Sequence, residues 1–214
     1  MAGLSRYDVN AEDTGLEGRV LKNKLGIKEQ KKLHDTETVL LADTYSHFFE
    51  LLKKGAVTFN LALLFQIHKL FLETLYPWAG KIRVINISKK GVLFTPAHYI
   101  DDALHAFEKI LKKNVPDVRD TKKETAQKFA VIHNEFNAVH PFREGNGRTI
   151  RLFLDLLAVH LEYNPINWGG TTRTNYIKAC ADGMLIKHTT MERIIYRGLT
   201  KNKSALTANR QRAY

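Results

Sequence analysis

Apolar positions recur at the three- and four-residue spacing of an amphipathic helix over most of the chain. In the first such segment, the polar residues 35–37 precede the pattern as a helix cap would. In the third, Thr95 and Pro96 are typical of an N-cap and a first helical position. In the fourth, Thr121 and Glu124 have the spacing of a capping box. Helices are predicted at residues 35–54, 60–75, 95–113, 121–140, 148–161, 175–181 and 191–199.

One stretch departs from this pattern and predicts a β-hairpin. The sequence IRVINIS at residues 82–88 alternates and is rich in β-branched side chains, and GVLFTP at residues 91–96 is a second short extended run. Residues 88–91 would form the turn between them. Because two strands alone are only marginally stable, we expect the hairpin to pack against the helices.

The predicted fold is therefore all-α, a helical bundle with one short β-hairpin. No internal repeat or second domain boundary interrupts the pattern, so residues 1–214 are predicted to form a single domain, with a basic polar tail at about residues 200–214. Hydrophobic residues make up 44% of the chain and charged residues 26%. This balance is that of an ordinary soluble globular protein.

Composition also bears on location and partners. No apolar run approaches the length of a membrane span, and the N-terminal sequence MAGLSRYDVN has no apolar secretory stretch. We therefore expect a cytoplasmic protein, or one delivered into a target cell by a route that the sequence does not show. Cys180 is the only cysteine, which excludes an internal disulfide, and we expect it to be a small core residue. The net charge of +11 favours nucleotides, nucleic acid or an acidic protein as partners. Nucleic acid is disfavoured, because the chain carries no recognisable binding module or aromatic–basic strip.

The sequence HPFREGNGR at residues 140–148, followed by Arg151, lies between two predicted helices. Asn146-Gly147 could be a hairpin turn, but both flanking segments have helical periodicity, so the glycines belong to a loop directly before a helix. Glycines there let an anion approach the backbone, and the free N–H groups of the helix start would bind it. Arg148 and Arg151 lie three residues apart, where two guanidinium groups can clamp a polyphosphate.

Two further residues complete a set for phosphate chemistry. Glu144 beside an anion site favours a cation between carboxylate and phosphate, and Mg²⁺ is typically held by one or two carboxylates plus substrate phosphates. His140 is suited to take a proton from a nucleophile near neutral pH. A lone histidine, a turn or an arginine pair is usually structural. Their joint occurrence within twelve residues favours phosphoryl or nucleotidyl transfer.

The same residues resemble the signature of the Fic family, H-P-F-x-x-G-N-G-R-x-x-R, and every defined position from His140 to Arg151 matches. The sequences LKNKLGI near residue 21, LYPWAGKIR at residues 75–83 and the hairpin before TPAHYI also resemble Fic landmarks. The resemblance implies a helical bundle with a β-hairpin flap. It also implies transfer of AMP from ATP to a Tyr, Thr or Ser hydroxyl of a target protein, with pyrophosphate as the leaving group.

Roles for the motif residues follow from the resemblance. His140 would deprotonate the target hydroxyl, and Phe142 would pack into the core and fix the loop. Glu144 would hold Mg²⁺ against the α- and β-phosphates. The anion hole would consist of Gly145, Asn146 and Gly147, with the Asn146 side chain donating to the α-phosphate, and the β- and γ-phosphates would be held by Arg148 and Arg151.

Positions outside the motif are assigned by the same analogy. The hairpin would be a flap that positions the target, whose extended segment could pair with its edge. Lys90 and Gly91 at the tip would lie near the nucleotide or the target, although Lys89-Lys90 could equally be a solvated turn. Asn175 and Tyr176 would belong to an adenine pocket, although Tyr176 could equally be a core residue.

Substrate and regulation are less closely defined by the resemblance. The related Doc toxins have a lysine at the second glycine position and phosphorylate their targets, so Gly147 favours adenylylation. Other Fic-like enzymes transfer UMP or phosphocholine, which leaves the donor open. The sequence lacks the inhibitory motif (S/T)-x-x-x-E-(G/N), whose glutamate would pair with Arg151. We therefore expect a toxin or effector restrained by a separate small antitoxin protein. The alternative is a nucleotide-binding interaction module without transferase activity.

Overall fold

The structure is a computed structural model and describes residues 8–9, 15–17, 20–89 and 92–202. In this part of the chain there are seven α-helices: α1 Gln30–Lys53, α2 Leu61–Leu72, α3 Ile100–Asn114, α4 Lys122–Val139, α5 Asn146–His160, α6 Arg173–Met184 and α7 Thr189–Gly198. Five short strands accompany them: β1 Asp8–Val9, β2 Leu16–Glu17, β3 Val20–Leu21, β4 Ile87–Lys89 and β5 Val92–Leu93. The mostly helical fold is confirmed. The predicted tail beyond residue 202 lies outside the described residues.

Helices α4 and α5 form the centre of the bundle. α4 packs against α3, α5, α6 and α7, and α5 packs against α1, α2 and α4. Every residue from Leu152 to Ala158 is buried, as expected for a helix that is apolar on most sides. Asp155 is the one charged residue in this buried run. Its carboxylate accepts hydrogen bonds from the Tyr45 hydroxyl at 2.7 Å and from Ile166 N–H and Trp168 Nε1 at 3.0 Å. Burial raises the pKa of Asp155 to about 6.

The predicted start of the first helix is wrong. α1 begins at Gln30, because the residues after the positive-φ turn at Gly26 are good helix formers and extend the helix by about a turn. Residues 35–37 are therefore inside the helix and do not cap its end. The side chain of Glu37 is buried, with 3% of its surface exposed. This places an acidic side chain in the interior of the bundle.

Two other helix starts agree with the sequence, and one does not. Asn60 caps α2 by accepting from Leu63 N–H at 3.0 Å, and Thr121 and Glu124 form both hydrogen bonds of a capping box. Thr95 was predicted to cap α3, but that helix begins five residues later, after a short 3₁₀ turn. The N–H and hydroxyl of Thr95 instead donate to the Ala138 carbonyl, which ties the hairpin to α4.

The predicted hairpin is confirmed but is shorter than its sequence pattern. β4 and β5 pair antiparallel, with Ser88 opposite Leu93, while residues 82–86 lie outside the described strands and Val84 is almost fully exposed. On its other side β4 pairs with β1, so that the sheet order is β1-β4-β5. A second small antiparallel pair, β2-β3, lies in a segment for which neither a helix nor a strand was predicted. Both additions depend on pairings that short two-residue strands do not signal in sequence.

Within the described residues, every helix is too short or too polar to cross a membrane.

Candidate active site

The motif forms a tight loop between α4 and α5. His140 ends α4 in the left-handed region at φ 48°, and Gly145 precedes α5 at φ 88°. The positive φ at Gly145 favours glycine, and a Cβ there would also lie 2.9 Å from Leu72 Cδ1, so that this side chain would have to shift. Phe142 is fully buried below the loop, which confirms its predicted place in the core. The loop is thus held close to the bundle from both ends.

Asn146, the first residue of α5, closes the loop with its side chain. Its Oδ1 accepts from Phe142 N–H at 2.9 Å, and its Nδ2 donates to the Phe142 carbonyl at 2.7 Å. The residue is only 1% exposed. One amide hydrogen is used in this way, so its predicted bond to phosphate would need the second amide hydrogen.

His68 of α2 supports the loop from below and was not identified from sequence as a residue of the site. Its Nδ1 accepts from Gly80 N–H at 2.8 Å, so Nε2 carries the hydrogen and donates to the Glu144 carbonyl at 2.9 Å. The ring stacks on Phe142 with centroids 3.7 Å apart. Burial lowers the pKa of His68 to about 4, so the ring is neutral at physiological pH.

His140 has the geometry of a general base. Its Nδ1 lies 2.9 Å from the Asn137 carbonyl oxygen and must donate to it, which leaves Nε2 as the unprotonated nitrogen. Its ring stacks on Phe94 with centroids 3.7 Å apart. Burial, aided by the charges of Lys89 and Arg83, lowers the pKa of His140 to about 3. A neutral imidazole is the form that can accept a proton from a hydroxyl group.

Arg83 fixes the backbone of that histidine and was not identified from sequence. It is 4% exposed, and its guanidinium donates to the carbonyls of His140, Ile85 and Thr95. Its own N–H donates to the Pro141 carbonyl at 2.9 Å. A single buried cation therefore connects the hairpin to both residues at the start of the motif. No local pattern indicates such a role, because every partner except Ile85 is distant in sequence.

A cavity of about 510 Å³ at the N-terminus of α5 is lined by part of the motif, but neither by His140 nor by Asn146. Its walls include both arginines and the residues around them, namely Lys89, Glu144, Gly145, Gly147, Arg148, Arg151 and Tyr176. A helix start with adjacent glycines and two guanidinium groups is an anion-binding arrangement. The structure thus brings these predicted phosphate-binding residues together.

Arg148 and Arg151 are held differently within this cavity. Arg148 donates from one terminal nitrogen to Glu37 at 2.7 Å and from the other to Glu144 at 3.3 Å. Arg151 donates from Nε to the Gly147 carbonyl at 3.1 Å. The motif Arg148 is therefore already paired with two carboxylates, one of which was expected to hold a metal ion.

The carboxylate of Glu144 suits a Mg²⁺ ion in donor type and position. It is buried, lines the cavity that contains both motif arginines and accepts from Gly145 N–H at 2.9 Å. The described residues contain no cluster of three metal-binding side chains. A magnesium ion here would be held by Glu144 together with oxygens of the substrate phosphates, which is its usual arrangement in such sites.

A second, mostly apolar cavity of about 300 Å³ adjoins the first and contains the His140 side chain. Lys89, Gly147 and Tyr176 line both cavities. Cys180 also lines this second cavity; it is partly buried and packs against the edge of the hydrophobic core. The cysteine follows Tyr176 by one helical turn of α6, which brings both side chains to the same cavity wall.

Tyr176 is at once a wall residue and part of a buried network. His133 donates from Nδ1 to Asn134 Oδ1 at 3.1 Å, so its Nε2 accepts from the Tyr176 hydroxyl at 2.7 Å. Asn175, by contrast, lines a separate cavity between α6 and α7. Lys90 and Gly91 lie outside the described residues. Of the predicted residues beyond the motif, the structure therefore brings Tyr176 to the site.

Comparison with known proteins agrees with this fold and loop. The Fic/DOC family profile matches residues 58–158. The chain is 33% identical over 202 residues to protein adenylyltransferase VbhT of Bartonella schoenbuchensis, an alignment that covers 92% of this chain and 40% of that protein. It is 32% identical over 145 residues to the probable protein adenylyltransferase y4lH of Sinorhizobium fredii, covering 67% of this chain and 73% of the relative.

A solved structure gives the same result for the fold. The N-terminal Fic domain of a VirB-translocated Bep effector protein from Bartonella quintana, with bound ADP, superimposes with a TM-score of 0.72 at 25% identity, covering 88% of this chain and 94% of that one. The fold and the loop together define a Fic-type domain. The chain belongs to the Fic/DOC family.

Proposed function

We propose that the protein is an adenylyltransferase that moves AMP from ATP to a Tyr, Thr or Ser hydroxyl of a target protein and releases pyrophosphate. The observation that carries this proposal is the position of His140. Its neutral ring lies in the apolar cavity that shares Gly147 and Tyr176 with the anion-binding cavity. Relatives that are named protein adenylyltransferases and a related Fic domain with bound ADP support the same chemistry.

The reaction follows from the charges around the motif. His140 Nε2 takes the proton of the target hydroxyl as its oxygen attacks the α-phosphorus, and the bond to pyrophosphate breaks. The backbone N–H of Gly147 lies in the first turn of α5, where it would stabilise the charge on the α-phosphate. Arg148 and Arg151 hold the outer phosphates. Bound Mg²⁺ would neutralise charge between Glu144 and the phosphates.

The target would bind as an extended segment along the hairpin sheet. β4 already has neighbours on both sides, since β1 pairs with Ile87 and Ser88 and β5 pairs with Ser88 and Lys89. A target strand would therefore add to an outer strand or displace β1. Such an addition reads the backbone of the target more than its sequence.

Regulation by a separate small antitoxin protein, as in a toxin or effector, is part of the proposal. It is supported by the lack of the inhibitory sequence motif in the chain. A nucleotide-binding module without transfer activity is the second candidate. It would use the same cavity, which both motif arginines line, without the transfer step.

Labelling separates the two candidates. The protein is incubated with Mg²⁺, ATP labelled at the α-phosphate and a cell lysate, beside the variants His140→Ala and His105→Ala. The second variant removes an exposed histidine of α3 and serves as the matched control. A labelled band that His105→Ala retains and His140→Ala loses supports the transferase. ATP binding without any labelled band favours the module.

A further inference from the structure

A buried carboxylate from α1 reaches the nucleotide side of the motif. Glu37 is 3% exposed, and its Oε2 accepts from Arg148 Nη1 at 2.7 Å. Its Oε1 accepts from the Tyr76 hydroxyl at 3.2 Å. The guanidinium also lies over the Phe71 ring, 4.7 Å from its centroid. Residues from two helices and a loop thus fix one edge and one face of the Arg148 side chain.

The other edge of the same guanidinium faces Glu144. Arg148 Nη2 donates to Glu144 Oε1 at the longer distance of 3.3 Å. Glu144 lines the cavity in which phosphates and a cation would bind, and Glu37 does not. One arginine is therefore shared between a carboxylate inside the protein and a carboxylate on the cavity wall.

We propose that Glu37 is a positioning residue for nucleotide binding. It holds Nη1 of Arg148 in the interior, so that Nη2, at the cavity edge of the same rigid guanidinium, can exchange its bond to Glu144 for one to a phosphate beyond the α-position when nucleotide enters. Without Glu37, both terminal nitrogens of Arg148 would pair with Glu144. The guanidinium would then be less available to the phosphate. This inference rests on the proposed nucleotide-binding role of the site, but not on transfer of AMP.

Nucleotide binding by calorimetry tests the inference with two ligands. ADP carries the outer phosphate that Arg148 would contact, whereas AMP lacks it. Glu37→Gln keeps the shape of the side chain and removes its charge. We expect it to weaken ADP binding about tenfold, the loss of one charge-assisted hydrogen bond, and to change AMP binding by less than about twofold.

The matched control is Glu50→Gln, which removes the same charge from an exposed ion pair on the same helix. It should leave both affinities unchanged. Unchanged or tighter ADP binding in Glu37→Gln would overturn the inference, and so would an equal loss for ADP and AMP, because that would indicate general damage to the site.

Two further variants keep the test decisive. If Glu37→Gln does not fold, Tyr76→Phe removes only the hydroxyl that holds Glu37, and it should weaken ADP selectively by a smaller factor. In an Arg148→Gln background, adding Glu37→Gln should cost no further ADP affinity if Glu37 acts through the arginine. A full additional loss there would contradict the mechanism. Absence of AMP transfer in the unaltered protein would refute the proposed transferase and leave these binding results interpretable.

Discussion

His68 donates a hydrogen bond from Nε2 to the main-chain carbonyl of Glu144, across 76 residues of sequence, at 2.9 Å. The bond joins α2 to the loop that carries the motif, and the other ring nitrogen accepts from Gly80 N–H. One neutral imidazole thus sets the distance between the backbone at Gly80 and the backbone at Glu144. The position of the predicted metal-binding carboxylate depends on a residue that does not itself line the cavity.

Replacing His68 by leucine should destabilise the protein by about 2–4 kcal/mol. A leucine fills much of the space but leaves the Gly80 N–H and the Glu144 carbonyl buried without a partner. Glutamine can both donate and accept, so His68→Gln should lose less. Urea unfolding of both variants measures the difference. Equal stability of His68→Leu and the unaltered protein would show that the two bonds contribute nothing.

Replacing Arg83 by lysine should lower both stability and activity although the charge is kept. An ammonium group cannot reach the three carbonyls that the guanidinium binds, among them the His140 carbonyl at 2.8 Å. We expect a loss of about 3 kcal/mol in the free energy of unfolding and a lower kcat with little change in the KM for ATP. The control is Arg119→Lys, since Arg119 forms an exposed pair with Asp117. A normal kcat for Arg83→Lys would argue against its role in holding His140.

Three buried histidines make the fold sensitive to acid. Burial lowers the pKa of His68 and His133 to about 4 and that of His140 to about 3, whereas unfolded histidines titrate near 6.5. Their contribution is complete above about pH 6.5 and is lost as the pH falls toward 4, because the unfolded chain binds the protons. Asp155 opposes this, since burial raises its pKa to about 6 and its folded form keeps a proton that the unfolded form releases.

Near pH 5 the unfolded chain binds about two protons more than the folded chain, by these four groups together. The free energy of unfolding should therefore fall by about 3 kcal/mol for each unit by which the pH is lowered. Denaturant unfolding at pH 5.5 and pH 4.5 measures this slope. His133→Gln removes one of these protons and should reduce the slope by about 1.4 kcal/mol per pH unit. His105→Gln, at an exposed position, should leave the slope unchanged. A slope that is the same in both variants would refute the assignment.

Removing β1 should change how fast a target is modified. β1 pairs with Ile87 and Ser88 of β4, so a chain that begins at residue 10 exposes that edge. If the target adds to β4, this shortened chain should modify it faster at low target concentration, with unchanged ATP binding. A slower reaction with normal ATP binding would mean that β1 is itself part of the docking surface.

Much of the site could be predicted from sequence because its parts are close together along the chain. The motif residues from His140 to Arg151 depend on local geometry, namely a loop, two glycines and a helix start. The residues that sequence missed or misplaced, Glu37, His68 and Arg83, act over long separations. In sequence, the residues around Glu37 resemble a helix cap. The pairing of Glu37 with Arg148 is visible only once α1 packs against α5.

The fold follows the same division. Helix positions were predictable because amphipathic spacing and capping boxes are local. The strands were predicted poorly, because each is only two or three residues long and is defined by its partner, as the pairing of Asp8 with Ser88 illustrates. The alternating residues 82–86 resemble a strand, but Arg83 directs that segment toward the motif instead of a neighbouring strand.

The claim that His140 directs AMP, and not another part of ATP, to a protein hydroxyl is tested most directly by double labelling. A modified target is isolated after reaction with ATP labelled distinguishably at the α- and γ-phosphates. We expect the α-label on the target and the γ-label only in released pyrophosphate. With His140→Ala, we expect neither label on the target. Label from the γ-phosphate on the target would contradict it and indicate kinase chemistry.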